Sequence, residues 1–231
     1  MTGLRPALDQ CEGAPALRRI LNAPSERPFV VAQLGQSLDG RIATVTGDSF
    51  YINGDAALTH LHAMRACVDA VVVGVGTIVA DDPLLTVRRV EGRNPARVVI
   101  DPRGRLPLSG KWLAEDAPRL VVSPLKPKLQ AIEHLDVPAH DGQLDPHEIV
   151  AALFARGWRR ILIEGGARTV SNFVEANCVD RLHILQAPVL IGSGKMGLEL
   201  KPQGELARAR RPYVEIFPLT GGDVLFDCAL R

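Results

Sequence analysis

Val71-Val72-Val73-Gly74-Val75-Gly76-Thr77 and Ile161-Leu162-Ile163-Glu164-Gly165-Gly166-Ala167-Arg168-Thr169 are two versions of one pattern in widely separated parts of the chain. In each, a short β-branched run ends in glycines, and polar residues able to open a helix follow. Strands that are apolar throughout belong in a parallel sheet covered on both faces. The glycines after them let backbone N–H groups approach a phosphate-bearing ligand at the carboxyl end of the sheet. The two stretches therefore predict an α/β fold with a cleft for a large phosphorylated cofactor and a phosphorylated substrate beside it.

The same alternation extends outward. Segments 29–34, 97–100, 119–122 and 182–187 read as further strands; 55–66, 146–156 and 169–176 read as helices. On the first of these helices Leu58, Leu61 and Met64 recur at spacings of three. Tyr213–Pro218 and Asp223–Cys228 alternate on either side of Thr220-Gly221-Gly222 and predict a C-terminal antiparallel hairpin. The expected fold class is α/β, a mostly parallel central sheet flanked by helices with that hairpin at its end. Residues 1–26, with several prolines and a short helical pattern at 16–21, read as an N-terminal extension outside the main fold, and 27–231 as one domain. Gly192–Gly197 reads as a flexible loop.

With 46% apolar residues, 231 residues can bury one sizeable core. Basic and acidic residues nearly cancel, 27 against 26, without a basic stripe, which argues against nucleic acid as a partner. No apolar run is long enough to span a bilayer, and the first residues lack the apolar core of a secretory signal, so no membrane partner and a cytoplasmic location are expected. Cys11, Cys67, Cys178 and Cys228 are scattered, which predicts neither a disulfide framework nor a metal site.

Gly74-Val75-Gly76 is a poor dinucleotide fingerprint: Val79 stands where a third glycine belongs, and Asp81-Asp82-Pro83 cuts the helix short. Glu164-Gly165-Gly166 is the stronger phosphate turn, because the helix after it offers free N–H groups and a positive dipole end. Its glycines are equally compatible with close strand packing, and Glu164 with a solvated cap. Asp81 and Asp82 point in different directions, so only one faces a cleft. His60 and His62, two apart on a helix, fall on different faces and read as surface residues; His134, His140, His147 and His183 form no set. No serine occupies a nucleophile elbow, no cysteine has an evident base, and Gly192-Ser193-Gly194-Lys195 lacks the spacing of a P-loop. Phosphate-binding turns without a nucleophile or metal cluster fit hydride transfer from a bound nicotinamide, which needs positioning more than reactive side chains.

Several blocks together carry a family resemblance. They are Gln33-Leu34-Gly35-Gln36-Ser37-Leu38-Asp39-Gly40-Arg41-Ile42-Ala43, Arg65-Ala66, residues 73–88 with Ala80-Asp81-Asp82-Pro83-Leu84-Leu85-Thr86-Val87-Arg88, residues 99–107, Ile163-Glu164-Gly165-Gly166 and Ala187-Pro188-Val189-Leu190-Ile191-Gly192. In this order, from about residue 28 to 230, the chain resembles the reductase domain of bacterial riboflavin biosynthesis, the 5-amino-6-(5-phosphoribosylamino)uracil reductase family. The resemblance implies a dihydrofolate-reductase-like fold, NADPH as cofactor, a small phosphorylated pyrimidine whose ribosyl group is reduced to ribityl, and a homodimer. The zinc deaminase fused to bacterial members has no counterpart, since no His-x-Glu with a later Pro-Cys-x-x-Cys occurs. A stand-alone reductase, or a relative with another substrate, is expected.

Carried over by position, the resemblance places Gly35, Tyr51, Thr77, Asp81, Gly166, Ala167, Arg168, Thr169 and Val170 at the cofactor. It places Gln33, Ser49, Arg65, Leu85, Arg88 and Glu164 at the substrate. Asp81 is the candidate proton donor, with water as the alternative. Arg65 and Arg88 can hold a 5′-phosphate in guanidinium forks; without the resemblance they are as readily surface arginines. Arg103 or Arg105 can meet the 2′-phosphate that separates NADPH from NADH. Two positions depart from many bacterial members: Gln33 replaces a lysine, and Tyr51 replaces a tryptophan near the nicotinamide. Gln33 keeps open a pterin-like or specialised-metabolite pyrimidine as substrate. A nucleotide-binding module without catalysis ranks below both, because Arg65, Arg88 and Glu164 occur together.

Overall fold

The computed structural model describes residues 8, 11–130 and 132–231. Helix α1 (Ala14–Leu21) precedes strands β1 (Phe29–Ser37) and β2 (Arg41–Thr44). Next come α2 (Asp55–Cys67), β3 (Ala70–Gly74), α3 (Val75–Asp81), β4 (Ala96–Ile100), β5 (Arg119–Val122), β6 (Glu133–Leu135), β7 (Ala139–His140) and β8 (Gln143–Leu144). The chain continues through α4 (Pro146–Ala155), β9 (Arg160–Glu164), α5 (Ala167–Glu175), β10 (Arg181–Ala187), β11 (Gly194–Met196), β12 (Tyr213–Pro218) and β13 (Val224–Ala229).

Among the described residues, nine strands form one sheet in the order β12-β13-β10-β1-β9-β3-β4-β5-β6. From β10 to β6 every pairing is parallel, whereas β13 and β12 run antiparallel and finish one edge. The fold is thus the expected α/β type: a mostly parallel sheet with helices and an antiparallel C-terminal hairpin. Alternate residues of the strands feed two apolar layers. Val30, Ala32 and Leu34 of β1 pack with α4 and α5 on one face, through Ile149, Leu153, Val170 and Phe173. Val31 of β1 and Val71 and Val73 of β3 pack with α1, α2 and α3 on the other, through Leu17, Ile20, Met64 and Ile78.

Four local expectations differ from what is found. The described part of the expected N-terminal extension belongs to the core: Leu17 and Ile20 are fully buried, and Arg19 of α1 ion-pairs with Glu215 and Asp227 of the C-terminal hairpin. On α2 the buried face is Ala57, His60, Ala63, Met64 and Cys67, so Leu58 and Leu61 lie only at its margin. His60 and His62 are both buried. His60 Nε2 lies 3.3 Å from His183 Nδ1, and His183 Nε2 lies 3.2 Å from Asp227 Oδ1, a buried polar line between α2 and the sheet. Finally, the Gly192–Gly197 stretch contains β11, which pairs antiparallel with β2 as a separate two-stranded ribbon. Asp39 anchors that ribbon by accepting the Ile191 and Gly192 N–H groups.

Candidate active site

A cleft of about 580 Å³ opens at the carboxyl ends of β1, β3, β4 and β9. Ligands bind at this position in open α/β sheets because strand ends, loops and helix N-termini converge there. The two glycine turns of the sequence form adjoining walls and touch. Thr77 Oγ1, in α3, accepts the Gly166 N–H at 3.2 Å. A Cβ placed on Gly74 would lie 2.5 Å from Thr169 Oγ1, so only glycine lets α5 approach the end of β3 this closely. Gly165 has φ 99, and its own Cβ would lie 3.0 Å from Thr77 Oγ1. The second turn therefore needs glycine for both backbone angle and space.

Beyond Gly166, α5 begins at the cleft, which Ala167, Arg168 and Thr169 line; the Thr169 N–H turns back to the Gly166 carbonyl at 3.0 Å, and the N–H groups before it lie at the positive end of the helix. At the far end, Arg103 and Arg105 line the cleft after β4, and the Arg103 guanidinium lies over Gly142, where a Cβ would come within 2.9 Å of Nη2. An anion in the cleft thus has both the start of α5 and two arginines within its lining. The nearer part of the cleft is lined by Gln33, Gly35, Ser49, Thr77 and Asp81, with Lys195 of β11 entering from the ribbon. Asp81 reaches solvent, yet desolvation in the cleft raises its carboxyl pKa, and the charge of Lys195 partly opposes that rise. Asp82 is turned away: it accepts the Lys111 N–H at 2.6 Å, which leaves Asp81 alone to face the cleft.

The remaining candidate residues lie outside the cleft lining. Val170 is fully buried and faces the core, so it can offer a ligand only its backbone. Leu85 is likewise a core residue, held at φ 54. Arg65 does not turn an open fork outward. Its Nε donates to Glu164 Oε2 at 2.8 Å, its Nη2 donates to Glu164 Oε1, and its Nη1 donates to the Thr86 carbonyl at 3.0 Å. Glu164, at the end of β9, is in register with Gln33 of β1, so the buried ion pair sits against the cleft's glutamine. Arg88 is exposed, with Nη1 donating to Thr86 Oγ1 at 2.6 Å; desolvation first, and then the like charge of Arg65, lower its guanidinium pKa. Tyr51 is 72% exposed and stacks edge-on with Phe50, leaving a bare aromatic pair on this side of the molecule.

Two contributors escaped sequence reasoning. Lys195 was hidden in a glycine-rich stretch with no strand periodicity. Asn53 fixes the start of α2, donating to the Leu185 carbonyl and to Asp223 Oδ1, both at 3.0 Å. Its own Oδ1 fills the space a side chain at Gly35 would need.

Comparison with known proteins gives this geometry a family. The 2,5-diamino-6-ribosylamino-4(3H)-pyrimidinone 5′-phosphate reductase of Methanothermobacter thermautotrophicus is 36% identical over 215 residues, covering 89% of this chain and 99% of that protein. The riboflavin biosynthesis protein RibD of Aquifex aeolicus is 33% identical over 200 residues, covering 82% of this chain and 55% of that one. Among solved structures, the deaminase/5-amino-6-(5-phosphoribosylamino)uracil reductase of Thermotoga maritima superposes with a TM-score of 0.77 at 28% identity, over 88% of this chain and 57% of that chain. The match to the RibD C-terminal domain model spans residues 28–210, from β1 through the cleft to the approach to the hairpin, and the chain belongs to that family of reductases.

Proposed function

We propose that this chain reduces a 5′-phosphorylated ribosylaminopyrimidine, ribosyl to ribityl, in riboflavin biosynthesis, with NADPH as reductant. The observation that carries the reading is the cleft whose one wall is the Gly165–Thr169 turn and whose other wall holds Gln33, Ser49 and Asp81. The archaeal relative that this chain covers almost completely bears the name of such a reductase.

The first wall would hold NADPH: the N-terminus of α5 would take the diphosphate, and Arg103 and Arg105 the 2′-phosphate. When bound, NADPH supplies a hydride. Reduction of the substrate's opened imine with that hydride would also need a proton at nitrogen. Asp81 is the side chain in the cleft suited to pass that proton, because it lines the cleft beside Lys195 and desolvation raises its carboxyl pKa. Gln33, held against the buried Arg65–Glu164 pair, would meet the pyrimidine, with Glu164 acting on the site from behind it, and Arg88 would supply the guanidinium for the 5′-phosphate.

The test follows NADPH absorbance with the 2,5-diaminopyrimidinone 5′-phosphate and with its deaminated counterpart. Oxidation with one of them is expected; no oxidation with either, beside an active control reductase, refutes the reading. The second reading, an unphosphorylated pterin as substrate, draws on the neutral Gln33 at the cleft. Arg88→Ala separates the two: loss of a charge-assisted contact costs a phosphorylated substrate roughly ten- to hundredfold in KM, whereas a pterin keeps its KM.

A further inference from the structure

The segment from Leu85 to Arg88 belongs to no helix or strand, and the backbone groups of its last three residues are held by side chains instead. The Thr86 carbonyl accepts from Arg65 Nη1 at 3.0 Å, the Val87 N–H donates to Asn94 Oδ1 at 2.7 Å, and the Arg88 N–H donates to His62 Nδ1 at 2.9 Å. His62 and Arg65 stand three apart on α2, on one face of the helix. That face therefore offers one donor and one acceptor to a carbonyl and an N–H two residues apart in the loop.

We propose that His62 is a positioning residue for Arg88: by accepting the Arg88 backbone N–H it sets where the guanidinium meets the substrate's 5′-phosphate. The inference rests on the phosphorylated-substrate reading above. Acceptance at Nδ1 places the ring proton on Nε2 and requires an uncharged imidazole. Burial, and then the charges of Arg65, Arg88 and Arg89, pull the His62 pKa down to about 3, so the acceptor persists across the working pH range. A carboxylate at this position would also accept the N–H, but its charge would offset the arginine that a dianionic phosphate needs. A neutral imidazole fixes the loop and leaves the positive charge for the ligand.

The experiment compares His62→Ala, His62→Asn and His62→Asp. The Asn Oδ1 occupies nearly the place of the imidazole Nδ1. Kinetics are read with 2,5-diamino-6-ribosylamino-4(3H)-pyrimidinone 5′-phosphate and with its dephosphorylated nucleoside. Arg88 amide exchange is read by NMR on the unliganded protein. His62→Ala is expected to raise KM for the phosphate ester about tenfold with a smaller change in kcat, and to speed Arg88 amide exchange. His62→Asn restores both. His62→Asp restores amide protection while KM for the ester stays raised. None of the three changes KM for the nucleoside.

Wild-type KM for the ester in His62→Ala, failure of His62→Asn to restore KM or protection, wild-type KM in His62→Asp, or an equal loss on the nucleoside overturns the proposal. A wild-type protein inactive on the ester overturns the substrate reading instead, and amide exchange still decides whether His62 holds Arg88.

Discussion

The Thr77 hydroxyl accepts the Gly166 N–H at 3.2 Å, and this bond joins the two glycine turns into one wall. Gly166 therefore spends its donor on the protein and cannot give it to a ligand. Thr77→Val keeps the shape and removes the acceptor. It is expected to cost about 1 kcal/mol of stability and to weaken NADPH binding several-fold, whereas Thr77→Ser retains both. Denaturant melts and fluorescence titration with NADPH check this. Gly165→Ala adds a Cβ at φ 99 against Thr77 and should lose more than Thr77→Val in both measurements.

The Arg65–Glu164 pair predicts an asymmetric double-mutant cycle. Both side chains are nearly inaccessible. Arg65→Met strands a buried carboxylate and should destabilise the fold by about 3–5 kcal/mol. Adding Glu164→Met should recover a large part of that stability but not activity, since Gln33 loses the ion pair packed against it. Additive losses of stability in the double variant would show that the two side chains do not interact.

Arg103 and Arg105 predict the cofactor preference. Arg103→Gln or Arg105→Gln should raise KM for NADPH roughly tenfold or more, because a charge-assisted contact to phosphate contributes about 1.5–3 kcal/mol. KM for NADH should stay unchanged. Equal effects on both cofactors would remove these arginines from the 2′-phosphate. Gly142→Ala, by displacing the Arg103 guanidinium, should reproduce part of the Arg103→Gln phenotype.

Acid should unfold this protein earlier than its carboxylates alone would. Burial first, and then the charge of His183, lower the His60 pKa to about 3, and His62 is lowered to the same value. Between 3 and the ordinary value of 6.5 the unfolded chain binds more protons than the folded one, so stability falls as pH falls through that window. The slope approaches about 1.4 kcal/mol per pH unit for each histidine. Asp227 acts in the same direction lower down: burial pushes its carboxyl up, but His183 and Arg181 together hold it well below the usual range. Urea melts from pH 7 to 4 should show a slope about one proton shallower in His60→Gln than in the wild type. An unchanged slope would mean that His60 is protonated in the folded state.

Much of the fold was legible because the central strands are short, β-branched and apolar on both faces. Val71–Val73 and Ile161–Ile163 cannot sit anywhere but inside a covered sheet. What local pattern could not show was decided by partners distant in sequence. His60 is buried because His183 awaits it on β10, and Arg65 is withdrawn from any ligand because Glu164 at the end of β9 takes its fork. The prolines around residues 1–26 masked the apolar spacing of Leu17 and Ile20. Strands β6, β7, β8 and β11 hold two or three residues each, too few for a period to register. In the site, the glycine turns and Asp81 were readable from motif order, but Lys195 and Asn53 needed the third dimension.

The placement of β1 also bears on how the chain comes off the ribosome. The strand lies between β9 and β10, both in the last third of the sequence. While most of the polypeptide is being made, Phe29–Ser37 has neither of its two neighbours, and its run of Val30, Val31 and Ala32 is an unpaired apolar edge. Folding must wait for these long-range pairings, so it should be slow for a domain of this size, and the nascent chain should depend on chaperones until β10 has emerged. Ribosome-stalled chains ending before and after Arg181–Ala187 would show protease resistance only in the longer set.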